Sequence, residues 1–357
     1  MQLAEEKHAN PKIRVVLYGI GAMGSLIAKE ILRRDGVEIV GAVDIAEEKI
    51  GRDLGDVIDL GRRLGITVSG DVDSLLSVAD ADIVVHATSS FLKDVYPQIG
   101  KILEHEANVI STCEELSYPY ISDPDLAGEI DRKAHQHNVT VLGTGINPGF
   151  LMDTLVIVLT AVCRDIRRIE VRRVIDASTR RIPFQKKIGA GLSVEEFKDK
   201  IRRKLITGHV GLKQSIAMTA DALGWNLQNI EVKTAEPVIA EKHIDTGAIS
   251  VNPGHVAGLK QTAIGIKDGK PVIVLEFQAY LGSDEEYDSV TILGTPEIRQ
   301  KISPCIHGDI GTAAIVANLI PTVLNAPPGL MTMKDLPIPS AALEDMRTYV
   351  KQPKTES

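Results

Sequence analysis

Ser111-Thr112-Cys113-Glu114-Glu115 sets two adjacent carboxylates directly after an apolar run, Asn108-Val109-Ile110, that reads as a strand. A carboxylate at the mouth of a strand can act as general acid and base. Burial beside an apolar ring and a neighbouring like charge both raise its pKa towards neutrality. Neighbouring side chains on extended backbone point to opposite sides, so at most one of Glu114 and Glu115 faces a substrate. The plainer alternative is a solvated pair at a helix start, interacting with the helix dipole. Cys113 has no basic partner in the sequence and reads as a buried, inert thiol.

A second constellation supplies a place for phosphate. Ile13-Arg14-Val15-Val16-Leu17 forms a strand that runs into Gly19-Ile20-Gly21-Ala22-Met23-Gly24. A helix follows in which Met23, Ile27 and Ile31 recur at helical spacing. Gly19 permits a tight turn, Gly21 lets backbone approach a pyrophosphate, and Gly24 allows helix and strand to pack closely. The helix N-terminus at Ala22 and Met23 offers N–H groups and partial positive charge to the phosphates. Asp44 ends the second strand roughly twenty residues on, where an acid meets the adenosine ribose hydroxyls. Together these features predict a nicotinamide dinucleotide. Asp44 favours NAD, because an acid repels the 2′-phosphate of NADP, and NADP stays open.

Ligands of open α/β sheets gather outside the carboxyl ends of the strands. Thr88 and Ser89, after the strand Asp82–His86, could therefore hydrogen-bond the cofactor or simply cap the next helix. Asn147-Pro148-Gly149 could offer amide and backbone groups to a substrate, or be a plain turn. His209, His255 and His307 each adjoin glycine, without metal-ligand spacing, so no metal is expected. Among Arg172, Arg173, Arg180, Arg181, Lys186 and Lys187, one arginine could bind a substrate carboxylate while the rest stay solvated.

The elements that position these groups follow a doubly wound pattern. Apolar, β-branched runs at Val37–Asp44, Asp82–His86, Asn108–Ser111 and Val139–Leu142 suit a parallel sheet covered on both faces. After Gly149 the pattern changes. Ile169 and Val171 alternate with Glu170 and Arg172, and Ser193-Val194-Glu195-Glu196 is a capping box. Asp268-Gly269 marks a hairpin, whose second strand carries Ile273, Leu275, Phe277 and Ala279 on one face. The fold class is thus α/β: an N-terminal Rossmann doubly wound parallel sheet, plus an α+β substrate and dimerisation domain with a mainly antiparallel sheet. The expected boundaries are 1–145, completed by 305–350, for the dinucleotide-binding domain, and 146–304 for the second. Asp309 is expected to cap a helix through Ile310, Ala313, Ala317 and Ile320, ended by Pro327-Pro328-Gly329.

Composition sets bounds. The 357 residues are 44% hydrophobic and 25% charged, as in an ordinary globular enzyme. A net charge of -8 argues against a nucleic-acid surface. Three cysteines without a Cys-x-x-Cys pair fit a reducing, cytoplasmic compartment. Met1–Asn10 has neither a secretory nor a transit pattern, and no apolar run approaches the roughly 18 residues that span a bilayer, so no membrane partner is expected. The tail from Lys351 is expected to be disordered.

Several of these segments resemble the 2,4-diaminopentanoate dehydrogenases and their relatives, the native amine dehydrogenases, within the dihydrodipicolinate-reductase-like superfamily. The resemblance rests on the glycine fingerprint with Asp44, on Ile110–Leu116, on Gly145-Ile146-Asn147-Pro148-Gly149-Phe150, on Gly208-His209-Val210-Gly211-Leu212 and on Ala326-Pro327-Pro328-Gly329-Leu330. It runs from about Lys12 to about Ala341. It implies NAD(P)-dependent oxidative deamination of an amine carbon not adjacent to a carboxylate. In the diaminopentanoate enzymes the products are 2-amino-4-oxopentanoate and ammonia, a step in ornithine breakdown; the reverse is reductive amination of a ketone. A glutamate is the acid/base there, matching Glu114 or Glu115, with Glu114 first past the strand end. By position, His209 and His255 would line the substrate pocket, with Arg172 or Arg173 for the carboxylate. A homodimer built on the second sheet is expected. Dihydrodipicolinate reductase is disfavoured, since Glu170–Lys187 lacks that family's His-His-x-x-Lys motif. Homoserine dehydrogenase has lysine where Glu114 and Glu115 stand. A non-catalytic NAD-binding sensor would be expected to lack the acid.

Overall fold

The structure, a computed structural model, describes residues 11–351. Met1–Asn10 and the tail after Lys351, for which disorder is expected, lie outside the described residues. The chain divides into two compact units: Ile146–Gly308, and the chain before it together with Asp309 onward.

The first unit opens with β1 (Ile13–Tyr18), α1 (Ala22–Ile31), β2 (Val37–Val43), α2 (Leu54–Val57), β3 (Val68–Ser69) and α3 (Val72–Ala79). It continues through β4 (Ile83–His86), α4 (Leu92–Glu104), β5 (Asn108–Ser111), α5 (Pro124–Gln136) and β6 (Thr140–Gly143). Val15, Val16, Ile83, Val84, Val109, Ile110 and Val141 are all fully buried, as helices on both faces of a parallel sheet require. In α1 the residues at helical spacing behave as their periodicity demands, with Ile27 and Ile31 buried against the sheet.

The second unit carries α6 (Thr154–Thr160), β7 (Asp165–Asp176), α7 (Ile182–Lys187), α8 (Val194–Arg202), α9 (Leu212–Ala222), β8 (Asn229–Val232) and β9 (Glu236–Ile239). A small ribbon, β10 (Ile244–Asp245) with β11 (Ser250–Val251), precedes β12 (Val256–Lys267), β13 (Lys270–Tyr280), β14 (Tyr287–Thr295) and β15 (Ile298–Ile302). The sheet runs β15-β14-β7-β13-β12-β8, with β9 also on β12. Its pairs are antiparallel except β7 with β13, which is parallel. Asp268 and Gly269 both take positive φ, 52° and 70°, the two-residue turn whose twist matches a hairpin. Ile169, Val171, Ile273, Leu275, Phe277 and Ala279 turn to one face and form a core with Leu212, Ile216 and Phe197 from the helices. The capping box at Ser193 and Glu196 starts α8.

The chain then enters α10 (Gly308–Leu324) and β16 (Gly329–Met331). Asp309 lies inside the first turn of α10, two residues later than a cap would. β16 pairs in parallel with β6, giving the order β16-β6-β5-β4-β1-β2-β3. The order of strands reverses between β1 and β4, which is where such sheets bind ligands. Among the described residues no helix is long and apolar enough to cross a membrane.

Candidate functional site

Two loops meet at that reversal. Gly19 has φ +94°, and a side chain there would strike the Ala87 carbonyl at 2.4 Å. A Cβ on Gly24 would lie 1.9 Å from the Gly19 carbonyl oxygen, so helix and turn pack as the fingerprint demands. Gly21, by contrast, has nothing within 4 Å of its Cβ position and stands at the N-cap of α1. The cradle is therefore closed beneath and open at the helix start, with Ala22 and Met23 in the first turn, and it fits a dinucleotide pyrophosphate.

Asp44 follows β2 and is buried, accepting hydrogen bonds from Ile20 N–H at 2.7 Å and Ala46 N–H at 2.9 Å. Lys49 Nζ lies 2.9 Å from its Oδ2. Burial pushes the carboxyl up, but the bonds from Lys49, Ala46 and Ile20 outweigh it and hold Asp44 below the usual carboxylate range. Three of roughly four acceptor positions on the carboxylate are thus used within the protein.

Beneath the ends of β4 and β5 lies a polar network that sequence reasoning missed. His86 is fully buried, with Nε2 2.6 Å from Gln98 Oε1 and Nδ1 2.9 Å from Ser111 Oγ. An amide oxygen only accepts, so Nε2 carries the proton and Ser111 donates to Nδ1. Burial depresses His86 to about 4, keeping it neutral. Thr88 Oγ1 donates to the same Gln98 oxygen at 2.7 Å. Ser111 Oγ in turn accepts from Cys113 N–H at 3.1 Å. The network ties the loop after β4 to the loop after β5. Ser89 adopts the helix-start role, its Oγ bonding Asp94 and accepting from Phe91 N–H. The signal was a histidine closing the apolar run Ile83-Val84-Val85.

The carboxylate pair begins a short 3₁₀ turn, Glu114–Ser117. A side chain on Gly143 would strike the Leu116 backbone at 2.3 Å, so glycine on β6 lets this turn lie close. The two acids are not equivalent. Glu115 Oε2 accepts Leu92 N–H at 2.7 Å, and its own N–H reaches the Ser90 carbonyl. Phe91 at the N-cap of α4 has no acceptor to offer, so Glu115 caps that helix from 23 residues away. Cys113 is buried and its thiol is pushed up to about 12, chiefly by desolvation, which makes it unreactive.

In the second unit, Asn147 Nδ2 donates to His209 Nε2 at 2.8 Å, which places the imidazole proton on Nδ1. Asn147 Oδ1 is buried without a partner. His209 stacks on Phe277, with ring centroids 4.4 Å apart, and its backbone N–H donates to Gln261 Oε1 at 2.7 Å. Burial, reinforced by Arg173 and Lys187, depresses His209 to about 3. Pro148 packs against Gly211. Asp153, also missed from sequence, is fully buried and accepts from Gly149 N–H, Thr154 N–H and Ser215 Oγ, fastening the Asn147–Gly149 loop to α9.

Sequence-based candidates separate here. Arg172 turns to the opposite face from His209 and Phe277, half-exposed, with Nε 3.5 Å from Glu276. Strand alternation takes it away from the group it was expected to join. Arg173 is buried on the inner face and committed: Nη1 lies 2.6 Å from Asp288 Oδ1, and Nη2 donates to the Ile306 carbonyl. His255 sits at the turn before β12, with Nδ1 buried and unpartnered. His307 immediately precedes α10. Among the described residues no group of three or more His, Cys, Asp or Glu could hold a metal ion.

A family model described as 2,4-diaminopentanoate dehydrogenase C-terminal domain matches residues 150–352, and one described as dihydrodipicolinate reductase, N-terminus, matches residues 13–112. The 2,4-diaminopentanoate dehydrogenase of Acetoanaerobium sticklandii is 37% identical over 96% of this chain and 98% of its own length. The chain belongs to the 2,4-diaminopentanoate dehydrogenase family. This oxidoreductase is also similar to the amine dehydrogenase of Streptomyces virginiae, 24% identical over 91% of this chain and 96% of that one. The solved amine dehydrogenase from Mycobacterium smegmatis superposes with a TM-score of 0.81 at 28% identity, covering 94% of this chain and 99% of that one. Likeness to dihydrodipicolinate reductase is confined to the glycine-fingerprint half, so the second unit sides with the diaminopentanoate dehydrogenases.

Proposed function

We propose that this enzyme oxidatively deaminates 2,4-diaminopentanoate or a related amine, reversibly, releasing ammonia and the corresponding ketone. Its diaminopentanoate dehydrogenase relative over almost the full chain supports the substrate class. A nicotinamide nucleotide, held at Gly19, Gly21, Gly24 and Asp44, would supply the hydride acceptor. Thr88 and Ser89 support this site by holding the neighbouring loop. Hydride leaves an amine carbon only once the ammonium has lost a proton, because the nitrogen lone pair must form the imine. Glu114 takes that proton and passes it to solvent, and the carboxylate so restored then activates water against the imine. In reverse, the same carboxyl protonates the carbinolamine as water departs.

The observation behind this assignment is that the Glu115 carboxylate serves as the cap of α4, accepting its N–H at 2.7 Å; Glu114, first past the strand end, is the acid we assign to the chemistry. Asn147 Oδ1 supplies an acceptor for the substrate ammonium, while His209, held neutral by its burial, and His255 contribute imidazole contacts. NAD is the preferred acceptor because of Asp44, with Lys49 narrowing that preference. We place the enzyme in a reducing, cytoplasmic setting, in keeping with free Cys113, Cys163 and Cys305. We also propose a homodimer through the outward face of the second sheet, where Ile264 pairs with Val274.

The test is a panel of 2,4-diaminopentanoate, simple amines, ketones with ammonia, and dihydrodipicolinate, each with both nucleotides, read as NAD(P)H absorbance. Turnover on amines, with diaminopentanoate the best, is expected. Nucleotide binding without turnover would establish the sensor reading instead.

A further inference from the structure

We propose that Arg180 binds the substrate carboxylate and thereby sets this enzyme's preference for an amino acid over a simple amine. This deepens the amine dehydrogenase reading and rests on it.

Three of the arginines offered by the sequence divide clearly. Arg172 faces away from His209, and Arg173 is consumed by Asp288 and the Ile306 carbonyl. Arg180 is different. Its side chain is only 9% exposed, yet Nε and Nη1 are buried with no acceptor. Those two nitrogens carry three of the five N–H donors of a guanidinium. Only Nη2 is engaged, and loosely, at 3.6 Å from Cys305 Sγ and 3.7 Å from Glu286 Oε2. Arg34 leaves only its Nε unmet, because its Nη nitrogens are met by the Ala342 carbonyl and by Glu30.

A buried cation with most donors unmet is costly unless something arrives to meet them. The backbone around it is held firmly. Arg180 N–H bonds the Ala177 carbonyl, and the buried Gln185 side chain donates to the Arg180 carbonyl at 2.9 Å. Cys305, which touches Arg180, feels the charge of Arg173, and so does His209, the substrate contact proposed above. A carboxylate offers acceptors only, and its two oxygens match the guanidinium fork. A simple amine would leave the three donors unmet.

The test compares wild type, R180Q, R180K and E286Q, each checked for its fold by circular dichroism. Calorimetry of the NADH-loaded protein measures 4-oxopentanoate against pentan-2-one, which shares the ketone and lacks the carboxylate. Wild type should bind 4-oxopentanoate at least tenfold tighter. R180Q should lose about tenfold to a hundredfold of that affinity, since charged hydrogen bonds are removed. R180K should recover part of it, and E286Q should keep it. In turnover, the preference for 2,4-diaminopentanoate over 2-aminopentane, as a ratio of kcat/KM, should fall in R180Q by a similar factor. Equal binding of the acid and the ketone by wild type overturns the proposal even if R180Q fails to fold. So does wild-type affinity in R180Q, or an equal loss in E286Q, which would make Arg180 a structural ion pair. If wild type oxidises no amine, the function proposed above fails, and the calorimetry still decides Arg180.

Discussion

Glu115→Ala should separate architecture from chemistry in the carboxylate pair. The Glu115 carboxylate meets Leu92 N–H at 2.7 Å, at a helix whose own N-cap residue, Phe91, offers no acceptor. Losing a cap costs about 0.5–2 kcal/mol. Losing a negative charge at a helix start adds about 0.3–1 kcal/mol, reduced here because Glu115 is partly exposed. A loss of about 1–2 kcal/mol lowers Tm by about 2–8 °C in a domain of 150–250 residues. Glu115→Gln keeps an acceptor oxygen and loses only the charge, so it should cost about 1 kcal/mol or less. The assay is thermal unfolding followed by circular dichroism, run beside turnover, with hydrogen exchange at the Leu92 amide as the local probe. Expected are a graded fall in Tm, alanine below glutamine, faster exchange at Leu92, and turnover kept in the glutamine variant. Loss of turnover in Glu115→Gln at wild-type Tm would refute the reasoning and exchange the roles of the two glutamates.

Lys49→Ala should raise the NAD over NADP ratio of kcat/KM by about threefold to tenfold, since Asp44 loses the cation that screens it from a 2′-phosphate; Asp44→Ala should weaken NAD more than NADP. Unchanged ratios in both would show that neither residue meets the ribose. His209 is depressed to about 3 and His86 to about 4, so the unfolded chain binds protons that the fold refuses. Their stabilisation is fully present above about pH 6.5 and declines as pH falls, by up to about 1.4 kcal/mol per pH unit for each histidine. Urea unfolding of His209→Gln at pH 5 and 7 should therefore show a shallower acid slope than wild type, and parallel slopes would contradict a neutral His209. Arg173→Met leaves Asp288 buried without its cation and should cost about 3–5 kcal/mol in denaturant unfolding. A loss below about 1 kcal/mol would mean that the pair is solvated.

Local chemistry was legible in the sequence, and distant pairing was not. The strand, Gly19–Gly24 and Asp44 are read from short-range grammar, and so is the Asp268-Gly269 hairpin, because each depends on residues within one supersecondary unit. The parallel pairing of β7 with β13 depends on nearly a hundred intervening residues, and no local pattern encodes it. The commitment of Arg173 had half a signal. Period-two alternation from Ile169 and Val171 places Arg173 inward and Arg172 outward, yet its partner Asp288 is set by register with β14. Glu115 looked equivalent to Glu114 because its partner is a backbone N–H across the loop after β4. His86 read as the end of a strand, and only the fold brings Gln98 and Ser111 to its two nitrogens.

The most direct measurement of the central claim is NADH formation from 2,4-diaminopentanoate by Glu114→Gln beside wild type, with nucleotide affinity measured on both. Glu114 as the acid/base predicts unchanged nucleotide binding and a fall in kcat of about a hundredfold or more. Near-normal turnover in that variant would contradict it.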